Sequence, residues 1–76
     1  MSIIDETRTV IEAAIPGALV SVRGGGGHFE IEVVSDQFAG KRLLERQRMV
    51  LSAIAPLMKG NDAPVHAVDT LVCKLP

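Results

Sequence analysis

The sequence predicts an α+β domain in which a three-stranded mixed sheet carries all its helices on one face. Three observations lead there. An amphipathic helical pattern ends at Pro16-Gly17, two alternating apolar stretches flank a glycine tract, and a long helical stretch precedes a β-branched run. The resulting order is α-β-β-α-α-β. Strands joined by a short loop pair antiparallel, whereas a strand, a helical crossover and a returning strand give a parallel connection. With 76 residues and no linker or internal repeat, residues 1–76 form a single domain.

Each element has its own signal. Ser2 and Asp5 read as a capping box, a serine at the N-cap with a carboxylate three residues on. Ile4, Ile11, Ala14 and Ile15 then recur at helical spacing until Pro16-Gly17 stops the helix. Val20 and Val22 alternate with Leu19, Ser21 and Arg23 in a short strand. The Gly24–Gly27 tract is expected to be irregular and mobile, because glycine gives up more backbone entropy on ordering than other residues. From His28 to Ser35, Phe29, Ile31 and Val33 point one way, and His28, Glu30 and Glu32 the other. Asp36–Gly40 is a connector. Leu43, Leu44, Val50, Leu51, Ile54, Leu57 and Met58 then form a helical stripe that Pro56 bends or divides. Gly60-Asn61-Asp62-Ala63-Pro64 is a stop, and Val65–Lys74 reads as the last strand.

Composition excludes several classes of function. So short a chain buries only about 60% of its unfolded surface, which leaves little room for an enclosed substrate cleft. No Ser-His-Asp or Cys-His grouping, HExxH or CxxC is present, so the reading is of a protein that is not an enzyme. A net charge of −1 argues against bulk neutralisation of phosphates, and Phe29 and Phe38, the only aromatics, make no stacking platform. No apolar run reaches the ~18 residues of a membrane span. Asp5 and Glu6 stand where a signal peptide needs its apolar core, and Cys73 is the sole cysteine. A cytoplasmic, reducing setting is the expectation.

Some motifs fail on context. Gly24–Gly27 is followed by a strand, not by the helix and Lys-Ser/Thr pair of a phosphate loop. It also joins two strands, whereas the GxxG of a KH domain lies between helices. Cys73 lies seven residues beyond His66 on the same strand, about 23 Å away and on the opposite face, so those two do not share a metal. Lys41, Arg42, Arg46 and Arg48 with Glu45 give a local charge of +3 (four positive, one negative). Glu45 is within helical reach of Lys41 and Arg48, so this segment reads as a solvated face or as a surface for an acidic partner or DNA.

The stretch VVSDQFAGKRLLERQRMVLSAI resembles the central signature of BolA-like proteins. Val33-Val34-Ser35 stands for the strand end, Phe38-Ala39-Gly40 for Phe-x-Gly, and Arg46-Gln47-Arg48 for the Arg-x-Arg of the basic helix. Gln47 in that triplet is similar to the YrbA/IbaG-like branch. VHAV resembles the family's apolar-His-Ala start to the last strand and places His66 at its invariant histidine. The resemblance implies a fold similar to a class II KH domain without its GxxG.

It also implies a function. Members of this family are adaptors that pair with a monothiol glutaredoxin and help ligate or transfer a [2Fe–2S] cluster, and some act as DNA-binding transcriptional regulators. Carried onto this chain, His66 supplies an imidazole, and His28, at the exit of the glycine loop, stands as second metal ligand, swung into place by that loop. Phe38, Gly40, Lys41, Arg42, Arg46 and Arg48 border the surface for the partner or for nucleic acid. The cluster is shared with the partner rather than held by the isolated chain. The apo protein is expected to be a monomer or a weak homodimer, with only weak DNA binding and no attachment to membranes.

Overall fold

The computed structural model describes residues 2–60 and 62–76. In chain order these form α1 (Ile3–Ala14), β1 (Leu19–Gly25), β2 (His28–Val34), a 3-10 turn (Asp36–Phe38), α2 (Leu43–Ile54), a second 3-10 turn (Ala55–Met58) and β3 (Ala67–Lys74). The strands make one mixed sheet in the order β1-β2-β3, with β1 antiparallel and β3 parallel to β2. The α+β architecture read from the sequence is the one observed.

Local chemistry sets the boundaries. The Ser2 hydroxyl accepts from the Asp5 amide at 3.1 Å, which caps α1. The single face that α1 buries carries Thr7 and Ile11, with Ile15 just beyond its end. Pro56 sits in the first positions of the second 3-10 turn, where its missing donor is not needed, so the long helical stretch divides there. The core gathers Ile11, Ile15, Ile31, Val33, Phe38, Val50, Ile54 and Cys73 between the helices and one face of the sheet.

Four details differ from the sequence reading. The glycine tract is largely regular: Gly24 pairs with Phe29 and Gly25 with His28, leaving Gly26 and Gly27 as the two-residue turn. Both turn residues have positive φ, 62° and 84°, as the hairpin turns that match strand twist require. The last strand begins at Ala67 rather than Val65, because Val65 is committed to Leu57, whose carbonyl accepts its amide at 3.0 Å. The helical stripe is narrower than expected, since α2 buries Val50 and Ile54 but leaves Leu43, Leu44 and Leu51 exposed. Finally, β3 slips register against β2 between Phe29 and Glu30, so Asp69 bulges out of the ladder. Of the predicted stop before β3, Asn61 lies outside the described residues.

Candidate functional site

The residues singled out in the sequence fall at two opposite ends of the sheet. Because β2 and β3 are parallel, His28 paired with Ala67 marks one end and Val34 paired with Lys74 the other. The chain leaves β2 at the second end, where the Ser35 amide donates to the Lys74 carbonyl at 3.0 Å. Phe38, Gly40, Lys41 and Arg42 follow there. The 12 residues of α2 then carry the chain back, over about 18 Å, to the end where His66 lies.

At the histidine end the backbone is held at several points. The Gly27 carbonyl accepts from the amides of both His66 and Ala67, at 2.8 and 3.0 Å. The His66 imidazole rests against the Cα of Gly27, in the space that any β-carbon there would occupy. On its other side His66 adjoins Val65, which is buried. His66 therefore stands immediately before β3 with its backbone fixed and its ring exposed. His28 opens β2 and is also exposed. Its Nδ1 lies 3.2 Å from Oδ1 of Asp69. A carboxylate only accepts, so this ring donates from Nδ1, and in the neutral form its lone pair sits on Nε2. Asp69 reaches His28 from the bulge in β3. Sequence reasoning missed it, although two polar residues in succession, Asp69-Thr70, interrupt the strand alternation and signal the bulge.

The expected swinging ligand has no counterpart in this geometry. Gly27 is tied to β3, Gly25 pairs with His28, and His28 belongs to a strand rather than to a loop. Two imidazoles close to one turn make an incomplete metal shell. Among the described residues no group of three or more histidine, cysteine or acidic side chains could hold a metal ion. Cys73 cannot complete the shell, being only 4% exposed and turned into the core. Burial pushes its thiol above the ordinary range, and the nearby Arg46 guanidinium pulls partly the other way. A thiol held protonated is a poor ligand.

At the other end the predicted set divides by burial. Phe38, expected to border a docking surface, is 0% exposed and belongs to the core. Arg46 is half-buried and engaged internally: its Nε donates to the Lys41 carbonyl at 2.9 Å, and its guanidinium carbon lies 5.9 Å from the centroid of the Phe38 ring. Gly40, with φ +76°, turns the exposed chain towards α2. Arg42 occupies the α2 N-cap without a side-chain capping bond. Glu45 forms no ion pair with Lys41 or Arg48 among the described residues; Lys41 precedes α2 and so lies outside helical spacing, whereas Arg48 is within the helix but unpaired there. Leu43 and Leu44, 58% and 57% exposed, join the basic residues on this surface. A single 3-10 turn precedes α2, so this region is not a helix-turn-helix.

The class these features define is a small α+β domain with paired exposed imidazoles at one sheet end and an apolar, basic helix start at the other. The model of the BolA-like protein family matches residues 1–74, and the chain belongs to that family. It is similar to Protein BOLA2 of Arabidopsis thaliana, 40% identical over 78 residues that cover 92% of this chain and 80% of that protein. It is also similar to the DNA-binding transcriptional regulator BolA of Escherichia coli (strain K12), 40% identical over 45 residues, 59% of this chain and 40% of that protein. Among solved structures, a bolA protein homologue from Coxiella burnetii superposes with a TM-score of 0.80 at 30% identity, covering 100% of this chain and 94% of the other. Among the described residues no helix is long and apolar enough to cross a membrane.

Proposed function

We propose that the chain is a non-catalytic adaptor that pairs with a monothiol glutaredoxin and helps ligate or hand on a [2Fe–2S] cluster. The observation that carries this reading is the pair of exposed imidazoles around Gly27. Neutral imidazole is a competent iron ligand, and in some [2Fe–2S] centres two histidines replace two cysteines on one iron, which raises the potential. The chain itself supplies two nitrogen donors and no free thiolate, so the remaining ligands come from the partner. The cluster is thus cargo shared across the complex. His66 is held by three backbone attachments around it, and His28 is oriented by Asp69, an arrangement in which a carboxylate contact on one ring nitrogen fixes the tautomer and strengthens the other as a donor.

An anaerobic titration of a cluster-loaded monothiol glutaredoxin tests the reading. Wild type should give a heterodimer with altered visible absorption and circular dichroism. His66→Ala should abolish that change with the fold intact, while His28→Ala should weaken it less. The same spectral species formed with His66→Ala would remove His66 as a ligand and end the proposal.

A regulator that binds DNA is the second reading, favoured by the similarity to the DNA-binding transcriptional regulator BolA of E. coli and by Lys41, Arg42 and Arg48, which pair with no acid among the described residues. It uses the opposite end of the molecule, so the two readings separate by mutation. Binding through these residues should weaken with salt by roughly 0.9 in log K per log salt for each phosphate contact, and Arg42→Ala should weaken it while His66→Ala does not. Tight, sequence-selective duplex binding at physiological salt would make this the primary function.

A further inference from the structure

We infer that the exposed stripe of Leu44, Arg48 and Leu51 on α2 is a docking face for an acidic amphipathic helix of a partner protein. The three residues follow one another at i, i+4 and i+7, so they share one side of α2 and span about 10 Å along it. The stripe lies about a quarter-turn round the helix from the buried line of Val50 and Ile54. Leu44 is 57% exposed and Leu51 39%, so no described part of the chain covers them.

Its form selects a helix. The backbone of a helix interior is bonded within itself, so this face offers side chains alone and no edge on which a strand could pair. Two leucines seven residues apart form a ridge against which a second helix packs, side chain between side chains. Laid on a DNA backbone, the same ridge would press two leucines against phosphates, which gain nothing from them.

Charge selects the partner's sign and excludes a second copy of this chain. On the sheet, Arg23 pairs with Glu30 at 3.6 Å and Lys74 with Glu32 at 3.4 Å, so that surface neutralises itself. Arg48 has no acid among the described residues, nor have Lys41 and Arg42 at the start of the helix. Glu45 borders the stripe, yet segment 41–48 keeps a charge of +3 (four positive, one negative). A carboxylate set between two apolar side chains of the partner meets Arg48 where the leucines exclude water, which strengthens the pair. Two copies of α2 packed antiparallel would match Leu44 with Leu51 but set Arg48 against Arg48 at the two-fold axis, and like charges oppose that. The inference uses neither histidine, so its failure and that of the cluster reading are separate results.

NMR titration of the isotope-labelled protein with a synthetic helical peptide tests the inference. The peptide carries leucine at i and i+7 and glutamate at i+3, the antiparallel complement of the stripe. The resonances of Leu44, Arg48 and Leu51 should shift together and saturate below millimolar peptide, while those of His28 and His66 stay in place. Arg48→Glu, at an exposed position that leaves the fold unchanged by circular dichroism, should weaken binding by roughly tenfold and reverse the preference towards a peptide with lysine in place of glutamate. Leu51→Ser should weaken binding without changing the charge preference. The inference is overturned by the absence of saturable shifts up to millimolar peptide, or by wild type binding the glutamate and lysine peptides equally. Leucine resonances that respond to protein concentration alone, or only to a DNA duplex or anionic vesicles, overturn it as well, giving the face to a second copy, nucleic acid or a membrane.

Discussion

The two ends of the sheet use their side chains in opposite ways. At the histidine end the backbone is fixed and the functional groups are free: Gly27 binds the amides of His66 and Ala67, while both rings face solvent. At the end where α2 begins, two of the six residues that looked like surface are spent on the fold. Phe38 fills the core, and Arg46 ties the connector to the helix. A side chain is available to a partner only where something else holds the backbone in place. Hydrogen bonds do that around Gly27, whereas near Phe38 the side chains must do it themselves.

The contrast can be broken most sharply at Phe38. Phe38→Ala should cost about 3–5 kcal/mol, because it empties a fully buried aromatic site, whereas His66→Ala should leave stability nearly unchanged. Urea denaturation of the pair reads this directly, and equal losses would refute the division of roles. Gly27→Ala comes next. The position has φ +84°, and a β-carbon there meets the His66 ring, so a loss of about 1–3 kcal/mol is expected, together with shifted His66 ring resonances. Unchanged resonances would mean that Gly27 does not seat the imidazole. The smallest effect separates two arginines on α2. Arg46→Ala should cost about 1 kcal/mol through its bond to Lys41 and its contact with Phe38. Arg48→Ala, on the solvated face, should stay within about 0.5 kcal/mol.

Much of this was legible beforehand. The capping pair Ser2-Asp5, the stop at Pro16-Gly17 and the alternation of Phe29, Ile31 and Val33 are local signals, each satisfied within a few residues. The stripe on α2 was overread because Leu43, Leu44 and Leu51 fit a helical period equally well whether or not a neighbour covers them. The glycine tract was misjudged for a related reason. Glycine permits disorder, but pairing with Phe29 and His28 imposes order on Gly24 and Gly25.

By itself, then, the sequence determined the fold class, the order of the three strands and two main helices and the family motifs, because periodicity, caps and breakers act over one turn or one strand; the third helical piece it suggested after Pro56 is a 3-10 turn. Only the tertiary structure decided which candidate residues lie at the same end of the sheet. Parallel pairing of β2 with β3 sets His28 opposite Ala67, the residue after His66, although they are far apart in sequence, and the bulge at Asp69 delivers a carboxylate to His28. The same crossover sends Lys41 and Arg42 to the far end of the sheet. Sequence spacing measures distance along the chain, and a sheet register joins residues regardless of that distance.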